Sequence, residues 1–313
     1  MSSRVLVGWR APGRAARRCV ATVGVFDGVH VAHQALVRAT VRLARHLRAS
    51  SVVVTFDPDP QQVLNPAGAA PALMPLDERV RLLRTLGASR VWVIPFTRRF
   101  ARMSAQRFIR RALIGRLRCA ALVVGERFAF GRGRAGDVSV LRAVGRASGM
   151  RIRAIRPITR GGAAVSSSRI RALIAHGRLR QAGRLLGRAP ALYGVVIRGS
   201  GRGRTLGIPT ANIRLTPQAL PPRGVYAALV RRRDTGRTWR GVMNLGVRPT
   251  FGPGPLVCEV HLLGFSGSLR GRPVAVSLLG RLRRERRFAT PEALARQIRR
   301  DLARARGVFA ALS

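Results

Sequence analysis

Residues 24–33 read GVFDGVHVAH. An apolar, β-branched run, CVATVGVF (19–26), leads into this segment, and AHQALVRATVRLARHL (32–47) leads out of it. In the second run Leu36, Val37, Thr40, Leu43, Ala44 and Leu47 recur at helical spacing. The ten residues therefore read as a strand-to-helix turn, and they hold an aspartate and two of the chain's five histidines. Whether the turn belongs to a parallel sheet decides the fold. In such sheets ligands bind at the carboxyl ends of the strands, where helix N-termini offer N–H groups and positive potential to phosphate.

Downstream, SVVVTF (51–56), RVWVIPF (90–96) and AALVVGERFAF (120–130) read as strands. LDERVRLLRTL (76–86) and SAQRFIRRALIGRL (104–117) read as the helices between them. Strands apolar on both faces and separated by helices predict a parallel sheet covered on two sides, a Rossmann-like α/β domain. The order continues through residues 150–159 and two short helices that end near Gly187. After GRAPALYG (187–194) the texture changes to Gly, Pro and short strand-like runs: GVVIRG (194–199), GVYAALVR (224–231), CEVHLLGF (258–265) and PVAVSLLGRLR (273–283). These predict an antiparallel barrel. One terminal helix follows, TPEALARQIRRDLARAR (290–306), opened by an N-cap threonine and a proline in its first turn. The expected domains are residues 1–187 and 188–313.

The chain of 313 residues has 59 basic residues against 12 acidic ones, a formal net charge of +47, and every basic residue is arginine. Without lysine there is no P-loop kinase, no protein kinase and no pyridoxal Schiff base. The positive field favours polyanions, nucleic acid among them. The arginines are nevertheless spread along the chain, and aromatics make up only 5%. That distribution suits replacement of lysine by arginine throughout a genome better than an RNA-binding arm. No apolar run is long enough for a membrane helix, and no secretory leader is evident. Cys19, Cys119 and Cys258 lack CxxC spacing, so a disulfide framework and a zinc site are not expected and a reducing cytoplasm is.

His30 and His33, taken alone, are open to three readings: a surface coincidence, half of a metal site, or donors of ring N–H groups to phosphate oxygens. A second segment, VSSSRIR (165–171), sets three hydroxyls at a helix start before Arg169 and Arg171. N-cap oxygens, backbone N–H groups and guanidinium forks there make a second phosphate cradle. In this order the two segments resemble the HxGH and ISSTxIR motifs of the nucleotidyltransferase superfamily. The resemblance narrows with TVGVFDGVHVAHQAL, VVTFDPDP, VVGERFAFGRGRAGD, SSSRIR, GRGRTLGIPTANI, RGVYA, GVMNLGVRPTF and EVHLLGF. The chain resembles the bifunctional bacterial riboflavin kinase/FAD synthetases from about residue 5 to its C-terminus.

The resemblance implies two reactions with ATP and Mg²⁺. In the first domain FMN is adenylylated to FAD with release of pyrophosphate. It implies that His30 and His33 act there on the ATP phosphates, that Phe26, Asp27, Gly28, Ser166, Ser167, Ser168 and Arg169 bind the nucleotide, and that Phe128 and Phe130 lie near the flavin. Core packing is the competing reading of both phenylalanines. In the second domain riboflavin is phosphorylated to FMN. GSGRGRTLGIPTAN (199–212) is Gly-rich but is no Walker loop. There Gly203 approaches the nucleotide, Thr210 and Asn212 match the magnesium and nucleotide contacts, Asn244 contacts the flavin and Glu259 matches the general base. A salt bridge to arginine is the alternative for Glu259.

Some positions depart from the family pattern. Ala32 replaces a glycine of the first motif, Asp59 a histidine, Arg127 an acid or amide, and Gly264 and Ser268 two acids of the kinase half. Ala32 and Asp59 are expected to disfavour a polyphosphate, by bulk and by charge. Two further readings stay open: a homologue that keeps only the kinase activity, and an RNA- or polyanion-binding protein on the same fold.

Overall fold

The computed structural model describes residues 5–9, 18–199, 208–247, 256–286, 288 and 290–311. Contacts divide the chain into two units, Met1–Ala70 with Leu76–Ser167 and Pro71–Pro75 with Ser168–Ser313.

In the first unit six parallel strands form one sheet in the order β1 (Val5–Val7), β4 (Arg90–Pro95), β3 (Ser50–Asp57), β2 (Cys19–Val23), β5 (Cys119–Gly125) and β6 (Arg151–Ile155). The central strand β2 is buried along its whole length. Alternate residues serve the two faces. Val20, with Ala121 and Val123 of β5, packs under α1 (Val31–His46), which contributes Leu36, Ala39, Leu43 and Ala44, with Leu47 at its C-cap. Cys19, Ala21 and Val23 face the opposite layer of Phe108, Ile109, Leu113, Leu117 and Leu141. Around the sheet run the short α2 (Pro60–Leu64), α3 (Leu76–Thr85), α4 (Arg98–Ala101), α5 (Ala105–Phe108) and α6 (Val138–Ser148).

Two sequence readings in this unit change in detail. The helix expected over 104–117 is α-helical only to Phe108 and continues as a π-helix over Ile109–Arg116, with Leu117 N–H donating to the carbonyl of Ala112. Apolar residues spaced by four suit either winding, so periodicity does not distinguish them. The strand expected over 120–130 stops at Gly125, because Phe128 N–H turns back to the Gly125 carbonyl and Glu126 N–H pairs with Ile155.

The second unit begins with α7 (Ser167–Ala175), whose first residue lies in the first unit, and α8 (Leu179–Leu186). Strands β7 (Thr159–Arg160) and β8 (Ala163–Ala164) form a small hairpin before them. A closed antiparallel barrel follows, built from β9 (Ala191–Ile197), β10 (Ala211–Leu215), β11 (Gly224–Arg232), β12 (Thr238–Val247), β13 (Leu256–Leu262) and β14 (Pro273–Arg284) in the order β10-β13-β12-β11-β14-β9. Tyr226, Ala228, Met243, Leu245, Cys258, Val260, Val274 and Val276 fill its interior, and Leu179 of α8 joins them. Helix α9 (Pro291–Ala310) starts as expected, with Thr290 Oγ1 accepting from Ala293 N–H, and lays Ala305 and Phe309 on the outer residues Val225, Ala227 and Val242. All three cysteines are free and buried. No described helix is long and apolar enough to cross a membrane.

One buried ion pair ties α9 to the barrel. Asp301, 1% exposed, accepts from Arg283 Nε (2.9 Å) and from Gln297 Nε2 (3.0 Å). Removing one partner of such a pair leaves an uncompensated charge. Asp301→Ala is therefore expected to destabilise the second unit by about 3 kcal/mol, read by urea unfolding, whereas a surface change such as Arg300→Ala moves it by less than about 0.5 kcal/mol.

Candidate functional site

In the first unit the turn from β2 to α1 stands at the carboxyl end of the sheet's central strands. Its backbone is strained: Phe26 has φ 57°, Gly28 81° and the β-branched Val29 39°. Glycine is at ease there, but a β-branched residue in the left-handed region is an outlier that costs roughly 1–3 kcal/mol. Hydrogen bonds hold the strained form. The Val25 carbonyl accepts from Thr55 Oγ1 (2.9 Å) and Arg79 Nη1 (2.8 Å). Val29 N–H donates to Phe26 (3.0 Å), Ser167 Oγ to the Asp27 carbonyl (2.8 Å) and Gln34 Nε2 to the Val29 carbonyl (3.0 Å). The two motifs read from sequence thus meet through a hydrogen bond that spans 140 residues of chain.

His30 is buried and serves as the N-cap of α1, its Nδ1 accepting from His33 N–H at 3.3 Å. That bond places the ring proton of His30 on Nε2. The His33 ring stacks on it, with centroids 3.5 Å apart, and meets the edge of Phe26 at 5.1 Å. His33 Nδ1 is buried and makes no hydrogen bond among the described residues. Burial first, then the charges of His30 and Arg79, hold the His33 imidazole well below its ordinary value, so the ring is neutral at pH 7. Phe26 itself is buried, so only its backbone is available to a ligand. Asp27 is buried as well.

Ser166 and Ser168 are exposed at the start of α7, and Arg169 is half-buried. Phe128 and Phe130 stack at 5.2 Å, half-buried, against Phe108 and the sheet's core. One side of the pair packs on the core, and the other is exposed. Asp59, expected to repel phosphate, is the N-cap of α2 and accepts from Gln61 N–H at 2.9 Å. Its charge also acts on the Arg79 guanidinium. Arg79 is the residue that sequence reasoning missed. It sits in a run that reads as an ordinary amphipathic helix with solvated charges.

The barrel of the second unit aligns three expected residues in one row. Asn212 of β10 is the register partner of Glu259 on β13, and Glu259 is the partner of Asn244 on β12. Their chain neighbours Ile213, Cys258, Val260, Met243 and Leu245 point into the barrel, so by the alternation of strands the three polar side chains share its outer face. Glu259 and Asn244 are half-buried, while Asn212 is buried and Thr210 exposed. A Cβ on Gly199 would lie 2.1 Å from Asn212 Nδ2, so a larger residue just past β9 would force the Asn212 amide to move. Asn212, Gly199, Ile197, Leu256 and Cys258 border a cleft of about 570 Å³, within the range of small-molecule sites. Burial, with a contribution from Glu259, pushes the Cys258 thiol up to about 12. Gly203 lies outside the described residues, as does most of the Gly-rich stretch around it.

Comparison with known proteins agrees with both halves. Residues 13–169 match the family model for FAD synthetase, and residues 186–309 match that for riboflavin kinase. The bifunctional riboflavin kinase/FMN adenylyltransferase of Pseudomonas fluorescens is 40% identical over 94% of each chain. The enzyme of that name from Escherichia coli K12 is 38% identical over 93% of each, and that of Bacillus subtilis 32% identical over 91% of this chain and 90% of its own. A crystal structure from Streptococcus pneumoniae, described as a macrolide-efflux protein, superposes with a TM-score of 0.85 at 28% identity, covering 97% of this chain and 99% of that one. With a strained histidine turn at the end of a parallel sheet, a glutamate between two asparagines on a closed barrel, and relatives aligned from end to end, the chain belongs to the bifunctional riboflavin kinase/FMN adenylyltransferase family.

Proposed function

We propose that residues 188–313 phosphorylate riboflavin to FMN with ATP and that residues 1–187 adenylylate FMN to FAD. The observation that carries this reading is the coexistence in one chain of the capped His30–His33 pair and the Asn212–Glu259–Asn244 row, each assembled inside its own unit.

In adenylyl transfer a phosphate oxygen of FMN attacks the α-phosphorus of ATP. The new P–O bond forms as the bond to pyrophosphate breaks, and no side-chain nucleophile is needed. His30 and His33 donate ring N–H groups to phosphate oxygens whose charge shifts during the attack. Asp27 and Gly28 bring the backbone close to the nucleotide, and Ser166, Ser168 and Arg169 hold the triphosphate. Ser167 spends its hydroxyl proton on the Asp27 carbonyl, so it ties the two segments together and offers phosphate only its backbone. The exposed side of Phe128 and Phe130 faces the flavin.

In the kinase Glu259 accepts the proton of the riboflavin 5′-hydroxyl as that oxygen attacks the γ-phosphorus and ADP leaves. Asn244 orients the flavin. The hydroxyl of Thr210 and the amide oxygen of Asn212, two residues apart beside a carboxylate, form an oxygen-only donor set suited to Mg²⁺, and these residues would hold it. The ion supplies charge neutralisation on the transferred phosphate. Three free, buried thiols and the lack of a described membrane helix support placement in the cytoplasm.

The purified chain with riboflavin, ATP and Mg²⁺, sampled over time, is expected to form FMN first and FAD after it. Accumulation of FMN without FAD leaves only the kinase half, and retention on RNA without any turnover overturns both assignments.

A fragment from 168 to 313 is expected to make FMN and no FAD. A shorter one from 188 is expected to do the same with a lower melting temperature, because it loses Leu179 from the barrel core, a side chain whose burial contributes about 1.5–3 kcal/mol. An inert but folded fragment would overturn the division of labour.

Glu259→Gln keeps size and hydrogen bonding but removes the proton acceptor, so FMN formation is expected to fall roughly 10²–10⁴-fold while FAD formation from supplied FMN stays unchanged. Equal loss of both would mark Glu259 as structural.

Asp59→Asn tests whether the departure at 59 weakens the synthetase. It removes charge and retains the cap. With that charge already acting on Arg79, the KM for ATP in adenylylation is expected to change by less than about threefold, or about 0.65 kcal/mol. A tenfold fall would show that the carboxylate does repel the triphosphate.

A further inference from the structure

Arg79 of α3 is 6% exposed. Its Nη1 donates to the Val25 carbonyl at 2.8 Å, and its Nη2 donates to the Phe56 carbonyl at 3.0 Å. One planar fork therefore spans the carboxyl ends of two neighbouring strands, β2 and β3. Half-exposed Asp57 lies 3.7 Å from Nη2, a long ion pair. Nε is buried and makes no hydrogen bond among the described residues. Burial pulls the Arg79 pKa down, and the charges of Asp27, Asp57 and Asp59 pull it up. A guanidinium this buried, with one long ion pair and its Nη groups turned to two backbone carbonyls, is costly to keep for packing alone.

Its hydrogen bonds fall at one mechanically decisive point. Val25 carries the last carbonyl before the chain enters the left-handed conformations of Phe26, Gly28 and Val29, and its second donor is Thr55 Oγ1. We propose that Arg79 is a positioning residue for adenylyl transfer, holding the Val25 and Phe56 carbonyls so that the 26–33 turn keeps its strained form and His30 and His33 stay where phosphate is met. A lysine cannot replace it fully, because an ammonium is a point donor that does not span two carbonyls as the fork does.

The inference rests on the reading of the first unit as the adenylyltransferase. Its test uses the full chain and measures FAD formation from FMN alongside FMN formation from riboflavin. In Arg79→Met, kcat for FAD formation is expected to fall by about 10–100-fold, the scale of a displaced reactive constellation, with the KM for ATP within about threefold and FMN formation unchanged. Arg79→Lys is expected to recover part of that loss. Thr55→Val alone is expected to have a small effect. Combined with Arg79→Lys, it is expected to lower kcat by more than the product of the two single losses, because both side chains act on one carbonyl.

An unchanged kcat in Arg79→Met overturns the proposal, as do losses in the Thr55/Arg79 cycle that simply multiply. Full recovery of kcat on cooling would show that Arg79 serves stability alone, and it overturns the proposal too. Where Arg79→Met does not fold, the cycle with lysine decides. An unsubstituted chain that forms no FAD fails at the earlier step, the assignment of adenylylation itself.

Discussion

The carbonyl oxygens between Val25 and Val29 hold the first unit's histidine turn in place through their hydrogen bonds. A valine at φ 39° does not hold that conformation by itself. It is held because the carbonyls before and after it are claimed by Thr55, Arg79, Ser167 and Gln34, side chains from four separate stretches of the chain. Strain at the turn is thus stabilised by the sheet beneath it, by α3 and by the start of α7. The histidines inherit their placement from that arrangement. His30 becomes a cap with a defined tautomer, and His33 is pressed into a neutral, stacked ring.

The barrel solves a similar placement problem by register. Three strands bring Asn212, Glu259 and Asn244 into one row without any strained backbone, and the alternation that fills the interior with Met243, Leu245, Cys258 and Val260 sends the polar three outward. One half of the chain holds its candidate catalytic groups on a forced loop, and the other holds them on rigid ladders. Adenylyl transfer needs N–H groups converging on a polyphosphate, which a turn and a helix start supply. Proton abstraction from a hydroxyl needs one fixed carboxylate, which a strand supplies.

Much of this was legible in the sequence. Runs apolar on both faces foretold the covered parallel sheet, and the change of texture after Gly187 foretold the barrel. The capped terminal helix followed from Thr290 and Pro291. The order of motifs singled out Asn212, Asn244 and Glu259 one by one, and the histidine turn, but not the alignment of the three polar residues in one row. Arg79 was not legible, since its partners lie 54 and 23 residues away and LDERVRLLRTL carries no signal beyond amphipathicity. Nor was the role of Asp59, whose cap depends on a short helix with no periodic pattern. The end of β5 escaped because the phenylalanines after Gly125 have strand propensity while hydrogen bonds turn the chain back on itself.

The buried cysteines give each unit its own chemical clock. Cys19 and Cys119 are register partners in the central strands of the first unit, and the hydrogen bond with the Cys19 thiol, then burial, raises the pKa of Cys119 well above its ordinary value. Cys258 lies inside the barrel of the second. Thiolates are the reactive form, so native thiols in such places are close to inert toward alkylating reagents and become reactive only when their surroundings open. The rate at which each is labelled therefore measures the opening of the sheet and of the barrel separately, in one intact chain and without an introduced cysteine.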